Sequence, residues 1–342
     1  MNHDAGKQNN NNYTNFQRNN SILVPPLSKG GLGGVEKCCT ILDNWYYLAI
    51  ANQQIDWLQK QPDGIIFQQN SGDSIVAVKK DRSCLLLVLV DRETLSTSVA
   101  QSILDLNNPL KLIFPYSRAM LLALLWKSQP KNIYIIGFGG GTLPRILHHY
   151  FPNAIVESAD VDATVVEVAQ KFFGIQLNDR LKVAIQDGRQ YLAEQKPTIK
   201  NDIIIVDAGF GSGYMPYQLV TQEFYQLCTT HLSNTGVVAI HLFHKQKFNA
   251  AAVKTLQTVF AQVYICNLDA GNSIAFATNA PDLARNEFFL KAELIQDFHN
   301  LEFSLIEMSL QLKTVAELPE WVKIWETLPI FTDGAMPREY LD

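Results

Sequence analysis

Between Gly64 and Val90 the apolar residues fall into three short runs, Gly64–Gln69, Ser74–Val78 and Cys84–Val90. The turns Ser71-Gly72-Asp73 and Lys79–Ser83 separate them, so the pattern predicts a small antiparallel meander. Pro109 to Trp126 reads as a helix leading out of it. From Ile133 onward the pattern alternates. Strands are expected at 133–136, 155–159, 182–185, 202–206, 237–242 and 262–267, and helices at 142–151, 163–173, 188–195, 217–231 and 246–260. Strands and helices alternating through short connections build a parallel sheet flanked by helices, an α/β fold. Ile274–Thr278 is placed to pair antiparallel with the sixth strand through an Asp269–Asn272 turn. Residues 281–342 read as a helical extension with an irregular, Pro-containing end and no interpretable motif, and residues 1 to about 35 are Asn-rich and then punctuated by Pro and Gly. So little apolar surface cannot offset the entropy of ordering a chain, which marks a disordered leader. The expected organisation is a leader over 1–40, a small β domain over 41–108, a larger domain over 109–280 and the extension 281–342.

The candidate chemistry sits at the ends of the alternating strands. The run Ile133–Ile136 ends in four glycines within five residues, Gly137, Gly139, Gly140 and Gly141, and passes directly into a helix. Without Cβ atoms such a turn lets backbone approach a nucleotide closely. Alone it is shared by nicotinamide, flavin and S-adenosylmethionine folds, and Thr142 stands where G-x-G-x-x-G has its last glycine. Asp160 closes the next strand about 20 residues on, where a carboxylate can accept both ribose hydroxyls. Asp187-Gly188 follows the third strand, where a carboxylate can accept from an exocyclic adenine amine or cap the next helix. Gly137, Gly139, Gly141, Asp160, Asp187 and Gly188 together suit an adenosyl-sulfonium better than a dinucleotide. The fourth strand ends at Asp207, in the crevice where open sheets bind ligands, and the Gly-rich segment after it resembles a lid.

Composition narrows the partners. The 342 residues carry a net charge of −5 with no dense basic stripe, which argues against nucleic acid, and 47% are hydrophobic, enough for a large core. No run approaches the ~18 apolar residues of a membrane span. The five cysteines have neither metal-ligand spacing nor an even framework, so a reduced cytoplasmic protein without a metal is expected. His148-His149 lacks a spaced acidic partner and reads as a helix-end or surface pair, and His241 and His244 at the end of the fifth strand, near the crevice rim, are read as ordinary hydrogen-bonding residues, with proton transfer as the alternative. Tyr214 and Tyr217 either close over a ligand or anchor the lid.

Over roughly residues 60 to 245 the chain resembles the polyamine (spermidine/spermine) synthase family of aminopropyltransferases. The matching pieces are I-I-F and L-V-L-V-D in the meander, Tyr116 in P-Y-S-R-A-M, I-I-G-x-G-G-G, D-V-D-x-x-V-V-E-V-A, Q-D-G-R-Q-Y-L, I-I-V-D, T-Q-E-F-Y and G-V-V-A-I. The resemblance implies a Rossmann-like sheet of the S-adenosylmethionine-methyltransferase type joined to a small N-terminal antiparallel β domain, and a homodimer. It implies transfer of an aminopropyl group from decarboxylated S-adenosylmethionine to a small di- or polyamine. An alkylamine with a pKa of ~10 must lose a proton before it attacks. The family's strand-end Asp serves that step and corresponds to Asp207, while Tyr116 matches the Tyr that lines the amine channel.

The departures fall on the amine side. Gly140 stands where the family has the Asp that contacts the aminopropyl amine, Phe210 where it has a second Asp near the diamine, and Gly211 replaces the Pro after it. Ser117 and Arg118 follow the channel Tyr in place of His or Gln and Glu. Three carboxylates are lost, each worth ~1.5–3 kcal/mol to a bound cation. Two alternatives therefore accompany aminopropyl transfer. One is a methyltransferase using S-adenosylmethionine itself, with Arg118 pairing with its carboxylate; the other is a non-catalytic nucleoside-binding relative.

Overall fold

The computed structural model describes residues 53–93, 100–209, 215–243, 245–268 and 272–334. All of them lie in one compact unit, Tyr47–Asp342. The Asn-rich leader falls outside the described residues, as do 210–214 of the expected lid, with Phe210, Gly211 and Tyr214, and also His244.

The expected meander is a four-stranded antiparallel sheet, β1 (Gly64–Ser71), β2 (Ser74–Asp81), β3 (Cys84–Asp91) and β4 (Ser102–Asp105), hydrogen-bonded in that order. Val76, Val78, Leu85, Leu87 and Leu104 are fully buried and form its inner face. The fourth strand was not visible in the sequence: four residues long and without an apolar run, it is held by pairing with β3 from Cys84↔Asp105 to Leu87↔Ser102. The helix expected over 109–126 is shorter. Pro115 stands at its first turn, where the missing N–H costs nothing, and α1 covers only Pro115–Met120 before a 3₁₀ segment, Leu121–Leu125. All five residues of that segment are buried, so no polar face existed to register a helical period.

The second sheet has eight strands: β5 (Asn132–Ile136), β6 (Ile155–Asp160), β7 (Leu181–Ile185), β8 (Asn201–Val206), β9 (Leu232–Phe243), β10 (Gln262–Asn267), β11 (Asn272–Thr278) and β12 (Leu312–Lys313). Their order is β12-β10-β11-β9-β8-β5-β6-β7. The five strands from β9 to β7 in that order are parallel, and β11 lies antiparallel between β9 and β10. The β10–β11 hairpin was expected; the insertion of β11 between its partner and the parallel strands was not. Both faces are covered, which is why these strands read as continuous apolar runs. Ile133, Ile135, Ile203 and Ile205 pack into one core, and Tyr134, Ile136, Ile204 and Val206 into the other.

The helices between strands are α2 (Thr142–Tyr150), α3 (Ala163–Phe172), α4 (Gly188–Glu194), α5 (Gln222–His231) and α6 (Gln246–Gln257). The helix expected over 217–231 is split, because the Thr221 hydroxyl caps α5 by accepting from the Phe224 N–H. The C-terminal extension contributes α7 (Arg285–His299) and, through β12, an edge strand of the large sheet. Among the described residues no helix is long and apolar enough to cross a membrane, and no cluster of His, Cys, Asp and Glu could hold a metal ion. Cys84, Cys228 and Cys266 are free thiols.

Candidate active site

A cavity of about 1260 Å³ opens at the carboxyl ends of β5, β6, β8 and β9. Gly137, Gly139, Asp160, Asp187, Gly188, Asp207 and Tyr116 all line it, together with His241. Residues of the small sheet, among them Leu87, Leu89 and Ser102, form one wall.

The glycine turn is dictated by close approaches. Gly137, Gly139 and Gly141 all have positive φ. A Cβ on Gly137 would stand 2.3 Å from the Asp207 carbonyl oxygen, so the ends of β5 and β8 meet only over a glycine. Gly141 lies beneath the turn, against Ile175, rather than on the cavity wall. Asp160 closes the turn from β6: its Oδ2 accepts from the N–H groups of Phe138 (2.8 Å) and Gly139 (3.3 Å), and its Oδ1 from Asp162 N–H (3.0 Å). Burial raises the Asp160 pKa against the opposite pull of these donors. The carboxylate expected to face a ribose thus also shapes the loop. Asp187 caps α4, accepting at Oδ1 from the Gln190 N–H at 2.8 Å, while remaining on the cavity wall. Gly188 lets α4 approach β5, since a Cβ there would stand 2.5 Å from the Ile136 side chain.

Gly140 is closed to any side chain. Its N–H donates to the Ser102 hydroxyl at 2.8 Å, and a Cβ would lie 2.8 Å from both Ser102 Cβ and the Phe173 ring. The acid that the family resemblance leads one to look for is absent, and Ser102 of the small sheet and Phe173 at the end of α3 fill its space.

At the Asp207 end the contacts run between side chains. Asp207 Oδ1 lies 3.1 Å from His241 Nδ1, and His241 Nε2 lies 2.7 Å from Asn272 Oδ1. The Tyr116 ring stacks on the imidazole at 4.0 Å and 11°. Phe114 covers the other face of Tyr116 at 5.2 Å, and Phe243 lies beyond His241 at 6.2 Å. Burial, then the charge of Asp207, pushes the Tyr116 hydroxyl pKa well above 10. Tyr116 therefore meets the cavity at its edge, with both faces covered. His241, read from the sequence as an ordinary hydrogen-bonding residue, is the direct partner of Asp207. Ser102, Phe114 and Asn272 carried no sequence signal, because a four-residue strand, a pre-helical coil and a mid-sheet hairpin bring them in.

Other residues fall outside the site. Arg118 donates from Nη2 to the Ile113 carbonyl at 3.3 Å and does not line the cavity. Its expected pairing with a cosubstrate carboxylate is corrected accordingly: a helix that starts at Pro115 turns this side chain back toward the coil before it. Tyr217 anchors the chain, its hydroxyl donating to the Thr332 carbonyl at 3.0 Å. His148 bonds Asn178 at 3.3 Å behind the glycine turn.

Residues 114–269 match the spermine/spermidine synthase domain. The polyamine aminopropyltransferase of Vibrio vulnificus is 30% identical over 285 residues, which cover 81% of this chain and 91% of that protein. Among solved structures, human methyltransferase-like protein 13 in complex with SAH superposes with a TM-score of 0.52 at 25% identity, covering 55% of this chain and 93% of its own. A probable spermidine synthase from Corynebacterium glutamicum shares the fold, with a TM-score of 0.63 at 18% identity over 81% of this chain and the whole of its own.

Proposed function

The chain belongs to the polyamine (spermine/spermidine) synthase family, and from that premise we propose that it transfers the aminopropyl group of decarboxylated S-adenosylmethionine to a small amine, with Asp207 receiving the amine. The observation that carries this reading is one continuous cavity joining the glycine turn, Asp160 and Asp187 to Asp207 and Tyr116. The turn and the two carboxylates would hold the nucleoside, and Tyr116 would border the amine. Asp207 would hold the ammonium and draw off its proton. The freed nitrogen lone pair attacks the carbon beside the sulfonium, the C–S bond breaks, and its electron pair leaves with sulfur. The product is a substituted ammonium and a neutral thioether.

A second reading, methyl transfer from S-adenosylmethionine itself, is favoured by Gly140. With Ser102 and Phe173 closed over that position, no carboxylate stands there to recognise an aminopropyl ammonium or to repel a cosubstrate carboxylate. Calorimetry with both cosubstrates separates the two. Tighter binding of the decarboxylated form supports aminopropyl transfer, tighter binding of the intact form supports methyl transfer, and binding of neither overturns both.

A further inference from the structure

His241 touches Asp207 and lines the same cavity, yet a base formed by Asp207 alone leaves it without work. A carboxylate, ordinarily near ~3.9, is about six pK units too weak for an alkylammonium near ~10, whereas an imidazole near ~6.5 closes that gap by more than two units.

The geometry assigns the proton of the acceptor amine to an Asp207–His241 dyad, in which the imidazole carries the positive charge. His241 Nε2 faces Asn272 Oδ1 at 2.7 Å and Nδ1 faces Asp207 Oδ1 at 3.1 Å, so both ring nitrogens are turned to acceptor oxygens. A neutral imidazole has one N–H and can donate to only one of these two oxygens, whereas an imidazolium donates to both. The unprotonated dyad is thus built to take up one proton. Once taken, that proton makes an imidazolium held between Asp207 and the Asn272 oxygen, with its ring against the π face of Tyr116. Among the described residues in these contacts, the ionisable groups facing the ring are Asp207 from β8 and Tyr116 from α1; Asn272 and Phe243 are neutral, and Arg118 on α1 is turned to Ile113.

The step balances. An ammonium docked on Asp207 gives one proton to the dyad, its lone pair forms the N–C bond, and the C–S pair goes to sulfur. The product leaves as an ammonium and the dyad releases its proton to water. The assignment rests on the proposed transfer to an amine and adds that Asp207 acts as relay and His241 as the proton's resting place.

The test uses the full-length protein with ¹⁵N-labelled histidine, and His241→Gln and Asp207→Asn variants. The ¹⁵N shifts of the His241 ring are compared by NMR at pH 7. Asp207→Asn replaces the carboxylate facing Nδ1 by an amide, so the ¹⁵N shift of His241 Nδ1 is expected to change by several ppm; an unchanged shift overturns the dyad, whatever the acceptor. Turnover is then measured with decarboxylated S-adenosylmethionine and 1,4-diaminobutane. For His241→Gln, kcat/KM is expected to fall ~10²–10³-fold at pH 7, by much less at pH 9.5 where free amine is abundant, with 5′-methylthioadenosine affinity unchanged. An equal loss at both pH values points to a structural role and overturns the assignment. Absence of wild-type turnover and of nucleoside binding counts against the transfer reading, and the NMR comparison still decides the dyad.

Discussion

Around the glycine turn the polar contacts run from backbone N–H groups to strand-end carboxylates close by in the chain or on the next strand. Around Asp207 they run between side chains of β8, β9, β11 and α1, from residues up to 156 positions apart (Tyr116 to Asn272). The first region has little freedom, since Gly137 is pressed against the Asp207 carbonyl and Asp160 is shared among three N–H donors. The second can change its chemistry by single side chains without disturbing the sheet. In the turn Gly140 is walled off by Ser102 and Phe173, while beside Asp207 the neighbouring side chain is His241.

The sharpest way to break this contrast is Asp207→Asn. The amide cannot take a proton, so turnover is expected to fall ~10²–10⁴-fold while the dissociation constant for 5′-methylthioadenosine by calorimetry stays within about twofold. Equal losses in both would mean that the two regions are one unit. The converse substitution, Asp160→Asn, replaces an acceptor of three N–H groups by a side chain that is half donor. Nucleoside affinity is expected to weaken ~10–100-fold, with turnover at saturating cosubstrate nearly intact. A collapse of turnover at saturation would place Asp160 in the chemistry itself.

The smallest effect concerns the scaffold behind the turn. Burial first, then the charge of Arg180, lowers the His148 pKa to about 4. The folded value lies below the unfolded ~6.5, so its contribution to stability is present above pH 6.5 and is lost as pH falls through about 4. Because the residue is partly exposed, solvent screening holds the effect to about 1 kcal/mol. His148→Gln is expected to lose less in melting temperature than the parent between pH 7.5 and 4.5. Parallel curves for the two proteins would show that this ring does not report on the turn.

Much of this was legible because it is local. The glycine turn, the strand-end Asp160, Asp187 and Asp207, and the α/β alternation are set by backbone sterics and by apolar runs buried on both faces. Each leaves a mark within a few residues of sequence. Expectation failed where a contact has no local mark. The helix expected from Pro109 begins only at Pro115, the fourth strand of the small sheet has no apolar run, and Asn272 reaches His241 only because β11 inserts between β9 and β10.

By itself the sequence determined a Rossmann-like sheet with an N-terminal β meander and a glycine turn, Gly140 included, under three strand-end carboxylates. Hydrophobic periodicity and the steric demands of glycine are properties of neighbouring residues. Only the tertiary structure decided that Ser102 and Phe173 close the space beside Gly140, that Arg118 turns away from the cavity, and that Asp207 meets His241, whose ring is stacked on Tyr116 and bonded to Asn272. Those contacts join residues far apart in the chain, and their chemistry depends on distances of about 3 Å that no spacing along a sequence encodes.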